Sequence, residues 1–402
     1  MMRPFAIGAS ELRRRIVRGA LRPLYRVAEG HRGQSRELSE ADIHRVLVCR
    51  PNHRLGNLVL LTPLLGELQR MLPGAAVDIV LAGRHGAELF AGFGNIARVY
   101  TLSDRMVRHP LATVRTVFAI RHAHYDIVID PCASSQSGHL LAAMAGAGCV
   151  LDGRRQRTKA CPASGGPIAA APTHMAQWPV YWLRRSLARS PDNADPEFPL
   201  LDVRLAPGER AAARATLAKL LSADSEELDR PILGVFANAT GAKRYSADWW
   251  RRFLDELGKQ RADTPVVEIA PPNGRRRLGG AGTSFASPNL REVAALIANM
   301  TWFVSADCGV MHLASAVAVP TCGLFSVTDA RTYAPYGHGS QALDTRGQTP
   351  EVVAQRVRRW MEMVRVVNDP ADHRSVPAAA NGGTSIGPAP PPGRRCNRMT
   401  TR

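Results

Sequence analysis

A chain of 402 residues is long enough to form two domains, and its 45% hydrophobic content is typical of a soluble globular protein. The sequence has no apolar run that could span a bilayer, and its start lacks the apolar core and cleavage site of a secretory signal. Its seven cysteines are scattered without a Cys-x-x-Cys pair, so we expect a reducing cytoplasm and neither a disulfide framework nor a zinc site.

The net charge of +18 is concentrated at the two ends of the chain. Residues 1–36 hold nine Arg and two Glu, and residues 370–402 hold five Arg and one Asp. We predict a basic N-terminal arm over 1–40 and a disordered tail over 369–402. Residues 11–28 form a basic amphipathic pattern that fits an anionic membrane surface and a solvated arm equally well. Nucleic acid is the weaker alternative, because no recognition motif accompanies these Arg residues.

Strand and helix patterns alternate over the first predicted domain, residues 41–185. Short apolar runs predict strands, and helical patterns lie between them at 57–72, 109–124 and 138–147. The expected strands cover 45–49, 77–82, 99–102, 126–130 and 149–151. This alternation indicates a parallel sheet with helices on both faces, and such sheets bind ligands at the carboxyl ends of their strands. The loop over residues 50–57 should therefore form one edge of a cleft.

Two segments after this domain are expected to be irregular. Residues 152–180 are rich in Gly, Pro and basic residues, and they read as a long loop. Arg154 and Arg155 in that loop would suit a phosphorylated acceptor through their forked guanidinium groups, although a solvated surface loop explains them equally well. Residues 186–230 begin with a polar, Pro-rich stretch, and we interpret them as an interdomain linker.

The second predicted domain covers 231–345 and repeats the alternation of strand and helix. A buried-type strand at 232–237 precedes a loop at 238–245, and Ser246 then caps an amphipathic helix whose aromatic residues should be core. Further strands and helices follow at 265–270 and 290–300. A C-terminal helix is expected over 346–368.

A strand–helix–strand unit at 302–326 is the most informative part of this domain. Asp307 follows the first apolar run and is a good N-cap for the next helix. Gly309 lacks a Cβ, so a ligand could approach the backbone, and the free amides at a helix start favour a phosphate. His312 lies one turn into the helix, either as an added donor or in a packing role.

The phrase from Asp307 to Ala314, with Val319-Pro320 and Leu324-Phe325-Ser326, resembles the donor-binding signature of the glycosyltransferase family 9 heptosyltransferases. The family form is Asp-Thr-Gly-Pro-Met-His-Leu-Ala, so Cys308 replaces Thr here and Val310 replaces Pro. Ser326 replaces the Gly of a later Leu-Phe-Gly. The residues at 333–337 resemble a further family segment, Trp-x-Pro-Tyr-Gly, with Tyr in place of Trp.

This resemblance covers about residues 44–367 and implies the α/β GT-B fold, in which two Rossmann-like domains face each other across a cleft. The donor would be a nucleotide-diphosphate sugar, expected to be ADP-heptose, and transfer would invert the anomeric carbon. Donor contacts would come from Thr240, Asp307, Cys308, Gly309 and His312. Lys243 matches by position a family Lys that would stabilise the departing diphosphate. No metal or other cofactor is implied, because no Asp-x-Asp occurs and a Lys with helix amides can replace the cation.

A second matching segment surrounds Gly56 and Asn57, which the resemblance places at the acceptor. Most family members have Asp after this Gly as the general base, but an amide cannot take a proton at neutral pH. Asn57 could still hydrogen-bond an acceptor hydroxyl, or it could simply cap the helix. His53 and Asp130 are the candidates to replace the missing base.

The resemblance therefore predicts a monomeric heptosyltransferase that acts on a lipopolysaccharide core or a related glycan at the inner face of the membrane. Two alternatives remain open at this point. One is a non-catalytic relative that binds a nucleotide sugar or glycan and lost its base at Asn57, and the other is a GT-B enzyme that uses another nucleotide sugar.

Overall fold

A computed structural model describes residues 40–83, 86–103, 110–132, 135–152, 172–187, 197–224, 227–259, 263–272, 276–278 and 283–368. Several predictions lie outside these ranges. They are the basic arm at residues 1–39 with its amphipathic segment 11–28, the loop positions Arg154 and Arg155, and the tail at 369–402.

The N-terminal half contains a parallel five-stranded sheet in the order β3-β2-β1-β4-β5. Its strands are β1 (Arg45–Arg50), β2 (Ala76–Ala82), β3 (Ile96–Leu102), β4 (Ile127–Asp130) and β5 (Cys149–Asp152). Each predicted strand is present. Continuous apolar runs form the central strands, because helices cover both faces of the sheet.

Four helices connect these strands or follow them. They are α1 (Leu55–Val59), α2 (Thr62–Met71), α3 (Pro110–His122) and α4 (Gln136–Met144). The single helix expected at 57–72 is interrupted at Leu60 and Leu61, since Pro63 occupies the second position of a new helix. The interpretation of Asn57 as an N-cap is wrong, because the helix begins at Leu55 and Asn57 is its third residue.

The loop predicted over 152–180 and the linker predicted over 186–230 each overlap a helix that their composition did not indicate. Helix α5 (Gln177–Leu187) returns to the N-terminal domain, where Arg184 binds the buried Glu67 with Nε 2.8 Å from Oε1. Helix α6 (Pro207–Leu221) packs against the second domain. Of the prolines that suggested an irregular linker, Pro199 precedes α6 and Pro207 is its first residue, where proline is tolerated.

The C-terminal half contains a parallel six-stranded sheet in the order β11-β10-β9-β6-β7-β8. Its strands are β6 (Leu233–Phe236), β7 (Val266–Ile269), β8 (Thr283–Phe285), β9 (Trp302–Ala306), β10 (Thr321–Phe325) and β11 (Gln341–Asp344). The expected strand–helix–strand unit is present as β9, α9 (Gly309–Ser315) and β10. Strand β9 lies between β6 and β10, so its carboxyl end is at the middle of the sheet.

The remaining helices are α7 (Ala247–Gly258), α8 (Leu290–Ile297), α10 (Ala330–Tyr333) and α11 (Pro350–Asn368). The Ser246 cap is confirmed, because its hydroxyl accepts a hydrogen bond from the Trp249 amide at 3.0 Å. Helix α11 packs on α7 through buried residues such as Trp360 and Trp250, so the C-terminal helix belongs to the second domain. Within the described part of the chain, no helix has both the length and the apolar character to cross a bilayer.

Arg291 of α8 ties the second domain to the segment that connects the domains, and it also reaches the Leu89 carbonyl of the first domain at 3.5 Å. Its guanidinium donates to the Glu209 carboxylate at 2.6 Å and to the main-chain carbonyls of Val203 and Arg204 at 3.0 Å. Tyr336 adds a hydrogen bond to the Pro199 carbonyl at 2.8 Å. Helix α1, which follows β1, contacts α9, which follows β9, so the carboxyl ends of these two strands lie at the interface between the domains.

Candidate active site

Lys243 and Asp307 form the charged pair at the centre of the cleft between the two sheets. A short 3-10 turn, Gly241–Lys243, follows β6 and carries the lysine toward β9. Its Nζ lies 2.7 Å from Oδ2 of Asp307, which is buried at the end of β9. Arg244 donates instead to the Ala239 carbonyl at 3.2 Å. Of these two neighbouring cations, Lys243 is therefore the one that reaches Asp307.

The start of α9 differs from the prediction in its cap. Cys308 is the N-cap residue, and Asp307 pairs with the lysine instead of capping the helix. Burial raises the pKa of the Cys308 thiol, against the opposing effects of the Ser305 hydroxyl and the Met311 and Val310 amides. The thiol is therefore neutral, and it is a weaker acceptor than the Thr hydroxyl of the family form.

Two glycines bring the starts of α1 and α9 into direct contact. A Cβ at Gly309 would lie 2.6 Å from the Gly56 nitrogen and 2.8 Å from the Leu55 Cβ. We expected the missing Cβ of Gly309 to let a ligand come close to the backbone. On the side of the missing Cβ, residues of α1 fill that space. A helix start carries free amides and a partial positive charge, so two adjacent starts beside Lys243 favour an anion.

His312 lies on α9, one turn after its start, and is buried. Its Nδ1 has no hydrogen-bond partner among the described residues. Burial lowers the pKa of His312 to about 3, with a further decrease from His174 that the Asp307 carboxylate opposes. The imidazole is therefore neutral at physiological pH and can donate or accept one hydrogen bond through each ring nitrogen.

The acceptor-side residues lie on the opposite wall of the cleft. Asn57 is half-buried in α1, and its side chain makes no hydrogen bond within the described parts of the chain. His53 is exposed in the loop between β1 and α1. Thr240 is exposed at the start of the 3-10 turn that carries Lys243.

Asp130 is fully buried, and both of its carboxylate oxygens contact protein groups. It has no exposed surface, and its Oδ2 lies 2.6 Å from Nδ1 of the buried His139, while its Oδ1 accepts the Cys132 amide at 3.1 Å. Gly138 of α4 packs directly against both carboxylate oxygens. A substrate hydroxyl cannot reach this carboxylate in the present conformation, whereas His53, the other candidate base, is exposed.

Three residues in or beside the cleft were not identified as functional from the sequence. Arg50 ends β1 and is buried, and Tyr333 of α10 approaches it from the second domain. His174 donates through Nε2 to the Ala334 carbonyl at 2.9 Å and so ties residues before α5 to the second domain. The sequence did contain a signal for Arg50, because a charged residue ends an apolar strand there. Nothing in the sequence around His174 marked it as different from the other residues of the predicted loop.

Two parallel α/β sheets, with Lys243 of one strand–helix connection paired to Asp307 at the carboxyl end of the central strand of the second sheet, are the arrangement of a GT-B glycosyltransferase. The family model for glycosyltransferase family 9 (heptosyltransferase) matches residues 114–360. The chain belongs to this family. Within the described ranges, no three His, Cys, Asp or Glu side chains converge as a metal site would require.

Known relatives extend the likeness over about four fifths of the chain. Lipopolysaccharide heptosyltransferase 1 of Escherichia coli O18:K1:H7 is 24% identical over 344 residues, which cover 79% of this chain and 97% of that protein. A family 9 glycosyltransferase structure from Veillonella parvula DSM 2008 superposes with a TM-score of 0.62 at 15% identity, over 83% and 99% of the two chains. The E. coli heptosyltransferase WaaC, solved with ADP, gives a TM-score of 0.57 at 21% identity, over 80% and 99%.

Proposed function

We propose that this protein transfers a heptose from ADP-heptose to a hydroxyl of a lipopolysaccharide core or a related glycan, with inversion at the anomeric carbon. The family, the curated relative and the ADP bound to WaaC support this choice of sugar, acceptor and nucleotide. The acceptor oxygen would attack the anomeric carbon while the bond from that carbon to the diphosphate breaks. ADP would leave, and the hydroxyl proton would pass to a base.

The donor site depends on one observation, the cluster of positive groups at the centre of the cleft. The starts of α1 and α9 face each other at Gly56 and Gly309, and Lys243 lies beside them. Asp307 neutralises only part of this charge. A diphosphate placed here would complete the neutralisation, and its leaving charge would be stabilised without a metal ion. We therefore propose metal-independent transfer without any other cofactor.

The family base position holds Asn57, so another group must take the proton. We assign this role to His53, because its exposed imidazole lies in the loop that enters α1. Asn57 would position the acceptor hydroxyl through a hydrogen bond. The pair of Lys243 and Asp307 would suit a diphosphate in an enzyme and in a non-catalytic nucleotide-sugar binder alike, so the family's transferase activity is what favours the enzyme.

We also propose that the protein works on the cytoplasmic side of an anionic membrane as a peripheral enzyme. The amphipathic segment 11–28 lies outside the described residues, but α3 adds support within them. This helix exposes 85% of Leu111, 65% of Val114 and 62% of Phe118, and it carries Arg115 and Arg121 but no acidic residue. Apolar groups beside cations suit the boundary of anionic lipid headgroups.

Turnover of ADP-heptose, with and without a chelator, tests this function. We expect ADP release to depend on a core glycan acceptor and to persist in excess EDTA. His53→Gln should abolish transfer while ADP still raises the melting temperature, and Asp130→Asn tests the buried alternative. If Asn57→Asp created activity in a protein that otherwise has none, the non-catalytic alternative would replace our proposal. A panel of other nucleotide sugars in the same thermal-shift format tests the donor.

A further inference from the structure

The loop that carries Lys243 crosses the carboxyl edge of the second sheet. It starts after β6, and Lys243 lies 2.7 Å from Asp307, which follows the neighbouring strand β9. At the end of the loop, the hydroxyl of Tyr245 lies 2.6 Å from Oγ1 of Thr345, the residue that follows β11. Strand β11 is three positions away from β6 in this sheet, about 14 Å at the usual strand spacing. The loop and the Tyr245 side chain together therefore span the ends of β9 and β10.

The direction of this hydrogen bond follows from the other partner of Thr345. The threonine hydroxyl has a single proton, which it donates to the Phe325 carbonyl at 3.1 Å. Its oxygen can therefore only accept from the Tyr245 hydroxyl. Burial raises the pKa of the Tyr245 phenol, although its hydrogen bonds with Thr345 and Ser326 act in the opposite direction, so the phenol keeps the proton that it donates. Thr345 is itself buried, and its amide also donates to the Phe325 carbonyl at 2.9 Å, so the acceptor is held in place.

The hydrogen bonds of Arg244 shape the loop from within. Its amide donates to the Gly241 carbonyl at 3.3 Å, and its Nε donates to the Ala239 carbonyl at 3.2 Å. Because both acceptors belong to the same loop, these bonds fix the shape of the turn but not its distance from Asp307. That distance depends on where the two ends of the loop are held, which is after β6 and at Tyr245.

The ring of Tyr245 makes contacts that are separate from those of its hydroxyl. It packs on the Trp249 ring of α7, with the ring centroids 4.3 Å apart, and edge-on against Trp250 at 5.9 Å. A phenylalanine at this position would keep both ring contacts and lose only the hydroxyl. The hydrogen bond to Thr345 can therefore be removed without removing the packing.

We infer that Tyr245 is a positioning residue for Lys243, because its hydrogen bond to Thr345 holds the loop with the lysine ammonium over the carboxyl end of β9. The inference rests on the proposed function, in which Lys243 stabilises the charge of the leaving diphosphate. Tyr245 acts through the lysine and not through a substrate contact of its own. A loop that is held in advance spares the enzyme an ordering step when the diphosphate leaves.

Kinetics of matched variants test this role. Tyr245→Phe should lower kcat about tenfold, equivalent to about 1.4 kcal/mol or one hydrogen bond, and leave the KM for the acceptor unchanged. Thr345→Val should act in the same way, and Thr345→Ser, which keeps the hydroxyl, should retain most of the activity. Tyr100→Phe is the control, because it removes a buried hydroxyl that accepts from Arg98 at 3.2 Å in the first sheet. It should lower the melting temperature but not kcat, and a Tyr245→Phe enzyme with a normal kcat would overturn the inference.

A double variant shows whether the effect of Tyr245 requires the lysine. In a Lys243→Met background, Tyr245→Phe should change the residual kcat by less than about twofold, because the group that it positions is absent. A purely structural contribution would lower kcat by the same factor in both backgrounds. That result would contradict a positioning role.

Acetylation of lysines in the ligand-free protein tests the position of Lys243 without any substrate. The side chain of Lys243 is 34% exposed while it is paired with Asp307. We expect it to react with acetic anhydride several-fold faster in Tyr245→Phe than in the wild type, with Lys219 and Lys259 as internal references and no change in Tyr100→Phe. Equal labelling of Lys243 in the wild type and in Tyr245→Phe would refute the inference. Faster labelling, in a protein whose wild type transfers no heptose, would count against the proposed function alone.

Discussion

Replacing Gly309 by Ala should separate the two domains at the reaction centre. The added Cβ would lie 2.6 Å from the main-chain nitrogen of Gly56 and 2.8 Å from the Cβ of Leu55. Carbon atoms in ordinary contact are about 3.5 Å or more apart. A main-chain nitrogen cannot rotate away as a side chain can. Relief therefore requires α1 and α9 to move apart by roughly 0.7 Å, the difference between an ordinary carbon contact of about 3.5 Å and the 2.8 Å from the added Cβ to the Leu55 Cβ.

The cost of this displacement should appear in turnover. A misplacement of about 1 Å between reacting groups can reduce the rate about 10²-fold, equivalent to about 2.7 kcal/mol of transition-state stabilisation. Gly56→Ala provides a milder form of the same change. Its Cβ would lie 3.1 Å from the His312 Cδ2 and 3.2 Å from the Gly309 Cα. A shift of a few tenths of an ångström suffices there, so we expect a loss below about tenfold.

The assay is kcat/KM for heptosyl transfer, measured beside the melting temperature of each variant. Gly258→Ala at the end of α7 is the control, because no atom lies within 4 Å of its added Cβ. We expect activity to decrease in the order Gly258→Ala, Gly56→Ala, Gly309→Ala, with folded protein in every case. A Gly309→Ala enzyme within threefold of wild type would refute the reasoning, since it would show that catalysis does not require this contact.

Three further predictions concern single residues. Lys243→Met should reduce kcat by about 10²- to 10³-fold, the loss typical of removing one group that stabilises developing negative charge, and it should lower the melting temperature because it leaves the buried Asp307 carboxylate unpaired; a near-normal kcat would contradict its role. The pKa of His312 is lowered to about 3, so the unfolded chain binds the extra proton and stability is lost as pH falls below about 6.5. Between pH 7.5 and 5.5 this loss should be about 1.4 kcal/mol by denaturant titration, and His312→Asn should show a correspondingly smaller pH dependence. Trp360→Ala should cost about 3–5 kcal/mol because its ring is buried between α11 and α7, whereas Met363→Ala on the exposed face of α11 should change stability by less than about 0.5 kcal/mol. Equal losses in these two variants would show that α11 does not pack as described.

Much of the architecture could be predicted from local sequence patterns. Apolar runs predicted the five strands of the first sheet, and a Ser before an amphipathic stretch identified the start of α7. These signals depend on neighbours within a few residues, where periodicity and capping act. The helix over 207–221 was missed because its surroundings are polar and Pro-rich. It is stabilised by packing against α8, which no local pattern reports.

The residues of the candidate site were also identified from local sequence patterns, but the contacts between them were not. The phrase that begins at Asp307 identified the family and the helix start, and Lys243 was identified by its position in a second phrase. Their separation by 64 positions in the chain hides the ion pair between them, so the sequence assigned Asp307 to the helix cap. That cap belongs to Cys308, because the aspartate gains more from the lysine across the cleft.

The sequence by itself determined two parallel α/β domains, their family and the residue types available at the cleft. Only the tertiary structure decided which of those residues have partners. It buried the Asp130 carboxylate beside His139 and paired Asp307 with Lys243, although each of these aspartates lies at the carboxyl end of a strand. The physical reason is that a strand end specifies where a side chain lies in the fold, while its hydration and partners depend on elements that arrive from elsewhere in the chain.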